Sequence, residues 1–194
     1  SAQIKASLAS FSGRSVTATL NQPLSDETQV RLSLSKETAN GLYRNQYLDK
    51  DDTNGIDETY ARLKILNTGA NYEALVTLLH ANVNNGFDAF SLDNTLNTLS
   101  DEPGFDRQKT NALAARITLS LNQHRLEVLG TLSRSELGYG YDEDWSFVGI
   151  HPFGYQSTDH YLRNRRHQAL EMRLMPKAAG EAFNQRGDWV IGLY

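Results

Sequence analysis

The sequence predicts an all-β chain of antiparallel up-and-down strands, about nine strands of a larger transmembrane β-barrel. Three observations carry that prediction. Short stretches alternate apolar and polar residues with a period of two, as where Val30, Leu32 and Leu34 face Arg31, Ser33 and Ser35. The connections come in two sizes, long at 36–58, 83–108 and 136–166 and tight at 67–71 and 122–124. A soluble sandwich has no reason to sort its loops by length, whereas an outer-membrane barrel has short periplasmic turns and long external loops. Finally, no run approaches the roughly 18 apolar residues of a membrane helix, a test that barrel strands escape.

The elements follow in order. Ile4, Ala6 and Leu8 form the apolar parity of the first strand, and Val16, Ala18 and Leu20 that of the second. The turn 22–26 leads into the third, built on Val30, Leu32 and Leu34. Ala61, Leu63 and Ile65 define the fourth strand, which turns at 67–71. The fifth, 72–82, is apolar on both parities and taken alone also suits a short helix. Leu113, Ala115, Ile117, Leu119 and Leu121 give the sixth. Leu126, Val128 and Leu132 give the seventh, Leu170, Met172 and Leu174 the eighth, and Trp189, Ile191 and Leu193 the ninth. The tract 176–187, rich in Ala, Gly and Lys, reads as a longer turn.

The opposite parity carries Arg31, Arg62, Lys64, Arg116, Arg125, Glu127, Glu171 and Arg173. In a barrel these would face a hydrated lumen, since an Arg or Lys aimed at lipid costs about 2–4 kcal/mol at mid-depth. Alternation alone equally suits a soluble sheet with one wet face. Loop-length sorting favours the barrel.

Composition narrows the function. With 19 basic and 23 acidic residues the formal charge is -4, which gives no support for nucleic-acid binding. The absence of cysteine removes disulfides, thiolate metal sites and cysteine nucleophiles. There is no Gly-x-Ser-x-Gly elbow, His-Glu-x-x-His pair or phosphate-cradling loop. Asp142, Glu143 and Asp144 adjoin on one loop and do not set the carboxylate separation that glycoside hydrolysis needs. An enzyme is not expected, and no cofactor is implied. The opening residues lack a signal-peptide layout and already read as strand, so a preceding segment is expected for an exported protein.

Candidate binding residues lie in the long connections. Tyr139, Tyr141, Trp145, Phe147, His151, Phe153, Tyr155, His160 and Tyr161 concentrate rings with polar tips, suited to a bulky ligand or to packing on one another. Tyr43, Arg44 and Tyr47 form a smaller set in the first loop. Asp49, Asp51, Asp52, Asp57 and Glu58 make the best metal candidates, with Asp49, Asp51 and Asp57 foremost. The spacing fails the EF-hand pattern at Gly55 and at the twelfth position, so a solvated loop is the plainer reading. Arg163, Arg165, Arg166 and His167 are the one basic run, suited to an anionic headgroup, an anionic ligand or a solvated strand end. His151 and His160 are further weak candidates for iron or haem.

The loop text resembles that of TonB-dependent outer-membrane receptors. The resemblance rests on 85–94 (NGFDAFSLDN), 100–104 (SDEPG), 138–145 (GYGYDEDW) running on to His151 and Pro152, the opening hairpin from Arg14 to the turn 22–26, and the loop-to-strand passage 49–58. It implies a 22-stranded barrel with an N-terminal plug, importing ferric siderophores, cobalamin or oligosaccharides with energy coupled through TonB. On that reading residues 1–194 are the first part of such a barrel in a Gram-negative outer membrane, with plug and remaining strands absent. Its partners would be outer-membrane lipid, a small-molecule ligand at the external loops, and TonB through segments not present. The alternatives are a soluble carbohydrate- or calcium-binding β-sandwich and a passive porin-like channel.

Overall fold

A computed structural model describes residues 1–177 and 187–194. The strands are β1 (Ala2–Ala9), β2 (Gly13–Pro23), β3 (Thr28–Ala39), β4 (Arg44–Asn45), β5 (Ile56–Gly69), β6 (Tyr72–Phe87), β7 (Asn97–Thr98), β8 (Gly104–Ser120), β9 (His124–Asp142), β10 (Thr158–Pro176) and β11 (Ile191–Leu193). Nine of them form one open antiparallel sheet in the order β1-β2-β3-β5-β6-β8-β9-β10-β11, and the two-residue β4 and β7 pair separately. Each long strand therefore lies beside its sequence neighbour, the meander of an up-and-down barrel wall. No second sheet faces the first, so the sandwich alternative has no counterpart among the described residues.

The predicted strands are all present, but their boundaries differ. β6 runs to Phe87, β8 starts at Gly104 and β9 reaches Asp142, so much of what reads as loop at 83–108 and 136–166 is strand. The helical option for 72–82 falls away, because Tyr72 to Phe87 pairs without a break against β8. The true long connections are 40–55, 88–103 and 143–157, all at one end of the sheet. The first hairpin breaks the length rule there, turning through 10–12 with Phe11 and Ser12 both at positive φ. At the other end the turns 24–27, 70–71 and 121–123 are short. Of the predicted long turn 176–187, residues 178–186 lie outside the described residues.

Cross-strand partners share a face, so the register sorts every side chain. One face carries an apolar band: Ile4, Ala6 and Leu8 on β1, Val30, Leu32 and Leu34 on β3, Leu113 to Leu119 at alternate positions on β8, and Leu170, Met172 and Leu174 on β10. The other face holds all eight charged residues of the opposite parity, including the ion pairs of Arg116 with Glu73 at 3.1 Å and of Arg173 with Glu171.

The band does not follow the hydrogen-bonded rows. The row of Ala6 and Val16 continues into Lys36, Thr59, Asn82, Lys109 and Glu136, leaving the band as it goes. From β1 to β10 the band centre moves by about one residue per strand step. With a rise near 3.3 Å and a strand spacing near 4.8 Å, that corresponds to a tilt of about 35°, the lower end of the range for membrane barrels. The strands lean so that the band lies level.

Among the described residues no packed core underlies this sheet. Among the described residues Ala81, 6% exposed, is the one buried hydrophobic residue, while Leu20, Leu34, Leu78, Ile117, Leu132 and Leu170 on the banded face are all exposed. A monomer in water rarely leaves so long an apolar stripe uncovered.

Candidate functional site

The long connections fold over the polar face and join one another. β4 and β7 pair in parallel, matching Arg44 with Asn97 and Asn45 with Thr98. This clasp closes on a buried carboxylate. Asp88 Oδ2 accepts from Asn45 Nδ2 and from Thr98 Oγ1, each at 2.8 Å, and Asn45 Nδ2 also donates to the Ser100 carbonyl at 2.7 Å. Asn45 and Thr98 are fully buried, as polar groups are when their partners are built in. The second and third loops are joined by the Asp101 amide donating to the Ser146 carbonyl at 3.0 Å and the Val148 amide donating to Asp101 Oδ2 at 3.2 Å.

Asp144 organises the third loop. Its Oδ1 accepts from the Ser146 amide and hydroxyl at 3.0 Å, and its Oδ2 from the Ser157 amide at 2.9 Å. Burial works against its ionisation, but these donors outweigh it and hold the carboxyl below the usual carboxylate range. Between Asp144 and Ser146 the backbone of Trp145 is held at φ 61, a region a bulky residue rarely takes.

Asp142, at the loop end of β9 and 6% exposed, shows the opposite shift. Its carboxyl is pushed up to about 6, chiefly by burial and further by Asp144. The neighbouring Ser100 hydroxyl pulls the other way, yet neither Ser100 Oγ nor Asp142 Oδ2 makes a hydrogen bond of ordinary geometry. Because the folded carboxyl binds its proton more tightly than an unfolded one, the stability contributed by Asp142 is fully present below about pH 4 and falls as pH rises toward and through 6, while that of Asp144 is lost as pH falls below the ordinary carboxylate range. Between pH 5 and 7 the third loop should lose on the order of 1 kcal/mol. Hydrogen exchange at 143–157, compared at matched intrinsic rates, should show this loss, and Asp142→Asn should flatten it.

Aromatic rings cover the polar face beneath the loops. Phe87 meets Tyr139 edge-on at 5.0 Å, Phe90 meets Tyr141 at 5.6 Å, and Phe90 stacks on Trp145 at 5.0 Å. Tyr47 stacks on Phe147 at 4.4 Å, tying the first loop to the third. Tyr141 and Tyr161 both donate to Asp159 Oδ2, at 2.9 and 3.2 Å. The cluster is anchored by packing yet open: Tyr47, Trp145 and Tyr161 are 49%, 38% and 45% exposed.

The sequence candidates thus divide. Tyr139, Tyr141 and Trp145 come together, and Tyr47 joins the same loop assembly. His151 sits in the third loop with Nε2 3.1 Å from the Asp144 carbonyl, whereas His160 stands on the opposite face, tilted on Phe105 at 5.3 Å. Tyr43 is half-buried beside Arg44, whose guanidinium pairs with Asp49. Asp57 pairs with Lys36, so two of the three foremost metal candidates are held by cations on separate elements. Among the described residues no group of three or more His, Asp or Glu could hold a metal ion. The basic run lies mid-strand in β10, not at a strand end, and divides between faces: Arg163, Arg165 and His167 on the polar one, Arg166 on the banded one. Phe87, Phe90, Asp88, Asn45 and Thr98 were not expected in the site. Only the pairing of distant loops brings them there.

The fold is that of part of the barrel of an outer-membrane import receptor. The structure is similar to two structures of the ferric-catecholate import receptor Fiu from Escherichia coli K12. Against the closed form the TM-score is 0.62 at 15% sequence identity, and against the open form 0.62 at 16%. The match covers 90% of this chain but 28% and 30% of those chains, so the chain spans less than a third of their length. No protein-family model matches the sequence, and comparison with curated proteins gives no match. No helix among the described residues is long and apolar enough to cross a membrane, which says nothing about strands.

Proposed function

We propose that this chain is barrel wall of a receptor that imports a bulky ligand such as a ferric siderophore, cobalamin or an oligosaccharide across the outer membrane of a Gram-negative bacterium, with energy coupled through TonB. The banded face meets lipid, the polar face lines the lumen, and the clasped loops form part of the external mouth. The observation that carries this reading is the aromatic cluster of Tyr139, Tyr141, Trp145 and Phe90, set on the lumenal side and left partly open. Rings with polar tips hold a flat or caged ligand by area and by directed hydrogen bonds.

The test is direct, because the chain has two tryptophans at opposite ends of the sheet: Trp145 in the loops, and Trp189 tilted on His124 at the turn end. In detergent micelles a ferric catecholate should quench Trp145 emission. Trp189→Phe should preserve the quenching, Trp145→Phe should abolish it, and Tyr139→Ala should weaken binding about tenfold, the loss of roughly 1.4 kcal/mol. If a ferric catecholate, cobalamin and a maltooligosaccharide all leave the emission unchanged, the ligand reading fails. A monodisperse β-rich chain in plain buffer would sink the membrane reading beneath it.

A further inference from the structure

An open cavity of about 510 Å³ lies beside the aromatic cluster, between Leu92 of the second loop and Glu143, Asp144, Trp145, His151 and Tyr155 of the third. Its rings are already placed by their neighbours. Phe90 stacks on Trp145 at 5.0 Å. Tyr155 meets His151 edge-on at 6.0 Å with the planes 82° apart, so these two rings make a corner. His151 is itself tied through Nε2 to the Asp144 carbonyl at 3.1 Å. The positive φ of Trp145 is a strained backbone for a bulky residue, and strain of that kind gathers at ligand clamps.

The charge around these rings has one sign. Connections 88–103 and 143–157 carry Asp88, Asp93, Asp101, Glu102, Glu143 and Asp144, and neither contains a Lys or Arg. Among the described residues no Lys or Arg lines the cavity. Asp144 is occupied by the donors of Ser146 and Ser157, whereas Glu143 is exposed. Glu143 Oε2 accepts from the Ser157 hydroxyl, and the Glu143 amide donates to the Ser157 carbonyl at 2.9 Å. The carboxylate is thus held in place at the cavity. Rings, an apolar Leu92 and a fixed carboxylate match a cation with an apolar coat. The faces of Trp and Tyr attract an ammonium group, and a nearby carboxylate supplies its counter-charge. A calcium ion instead asks for a shell of oxygens, which rings do not provide.

We propose that this cavity binds an alkylammonium group, set against Trp145 and Tyr155 and neutralised by Glu143. The proposal rests on the reading of these loops as a receptor mouth, in which the group belongs to the imported ligand and selects it by charge.

The test compares choline with 3,3-dimethylbutan-1-ol, a neutral molecule of the same shape in which carbon replaces the charged nitrogen. The chain is purified in detergent with Trp189→Phe, so that Trp145 is the single tryptophan and its emission reports binding. Choline should bind at least about tenfold more tightly than the alcohol. Glu143→Gln keeps an acceptor for Ser157 and removes the charge, so it should shrink that preference severalfold. Tyr155→Leu should weaken choline while leaving the alcohol within about twofold. Both variants should retain the parent's circular dichroism. Equal binding of choline and the alcohol, or choline binding undiminished in both variants, overturns the site. A calcium response equal to that of choline would also overturn it, assigning the cavity to a metal ion. Failure of choline while a ferric catecholate, cobalamin or a maltooligosaccharide still quenches Trp145 strikes the ammonium site and leaves the mouth standing. Silence from all four strikes the ligand reading itself, so the two failures are distinguishable.

Discussion

Ile117→Arg should cost about 2–4 kcal/mol of stability in a lipid bilayer, whereas Thr118→Arg, one residue further on, should cost less than about 0.5 kcal/mol. Ile117 lies in the middle rows of the band, between Ala74 on β6 and Val128 on β9, and is 43% exposed. A guanidinium there would sit in hydrocarbon near mid-depth. Thr118 faces the other way, and its cross-strand partners are Glu73 and Glu127, so an arginine there would stand between two carboxylates in a hydrated space. Reversible urea unfolding in bilayers measures the difference. Similar costs at the two positions would show that the faces do not meet different solvents, and the barrel reading would fall with that result.

The second large effect is expected at the loop clasp. Asp88→Ala removes the acceptor shared by Asn45 and Thr98 and leaves the Thr98 hydroxyl without a partner in a site closed to water. A buried donor stripped of its partner costs about 1–3 kcal/mol. Asn45 keeps the Ser100 carbonyl, and removing a buried carboxylate returns part of the loss, so about 2 kcal/mol is expected. The damage should be local. The amides of Arg44 and Gln46, which donate to the Leu96 and Thr98 carbonyls, should lose hydrogen-exchange protection while the β5–β6 ladder keeps its own. Asp88→Asn retains one acceptor oxygen and should fall between parent and alanine. Uniform loss of protection across the whole sheet would show instead that the clasp is not an independent unit.

The sequence is legible where one face is apolar and the other is not. Leu113 to Leu119 and Val30 to Leu34 are read correctly because their alternation is clean, whereas Leu121, expected in the same strand, falls in the turn after Ser120. It fails above the band, where both faces turn polar: Gln108, Lys109, Thr110 and Asn111 alternate in direction but not in polarity, so the upper half of β8 reads as loop. It also fails at 72–82, where Leu75 and Leu79 point inward while Val76 and Leu78 point outward, and period two disappears. In the site, Tyr139, Tyr141 and Trp145 are found because they crowd one connection. Phe87 and Phe90 belong to a different one, and nothing local announces the meeting. Asn45, Asp88 and Thr98 look like ordinary solvated loop residues, since composition cannot show that two distant turns bury one another's polar groups. For the same reason a count of aspartates at 49–57 suggests a cation site without revealing that Arg44 and Lys36 already answer two of them.

Because the loops share one hydrogen-bonded clasp and one set of stacked rings, they form a stiff plate and not three separate fingers. If the proposed reading holds, a ligand landing there would not have to gather wandering segments, so capture would depend on fit at first contact, with little ordering left to do. Stiffness also links the loops' histories. A substitution in one of them shifts the footing of the other two, so double variants drawn from different loops should depart from additivity even where their side chains never touch. Acquiring taste for a new ligand would then require changing three stretches of sequence in concert.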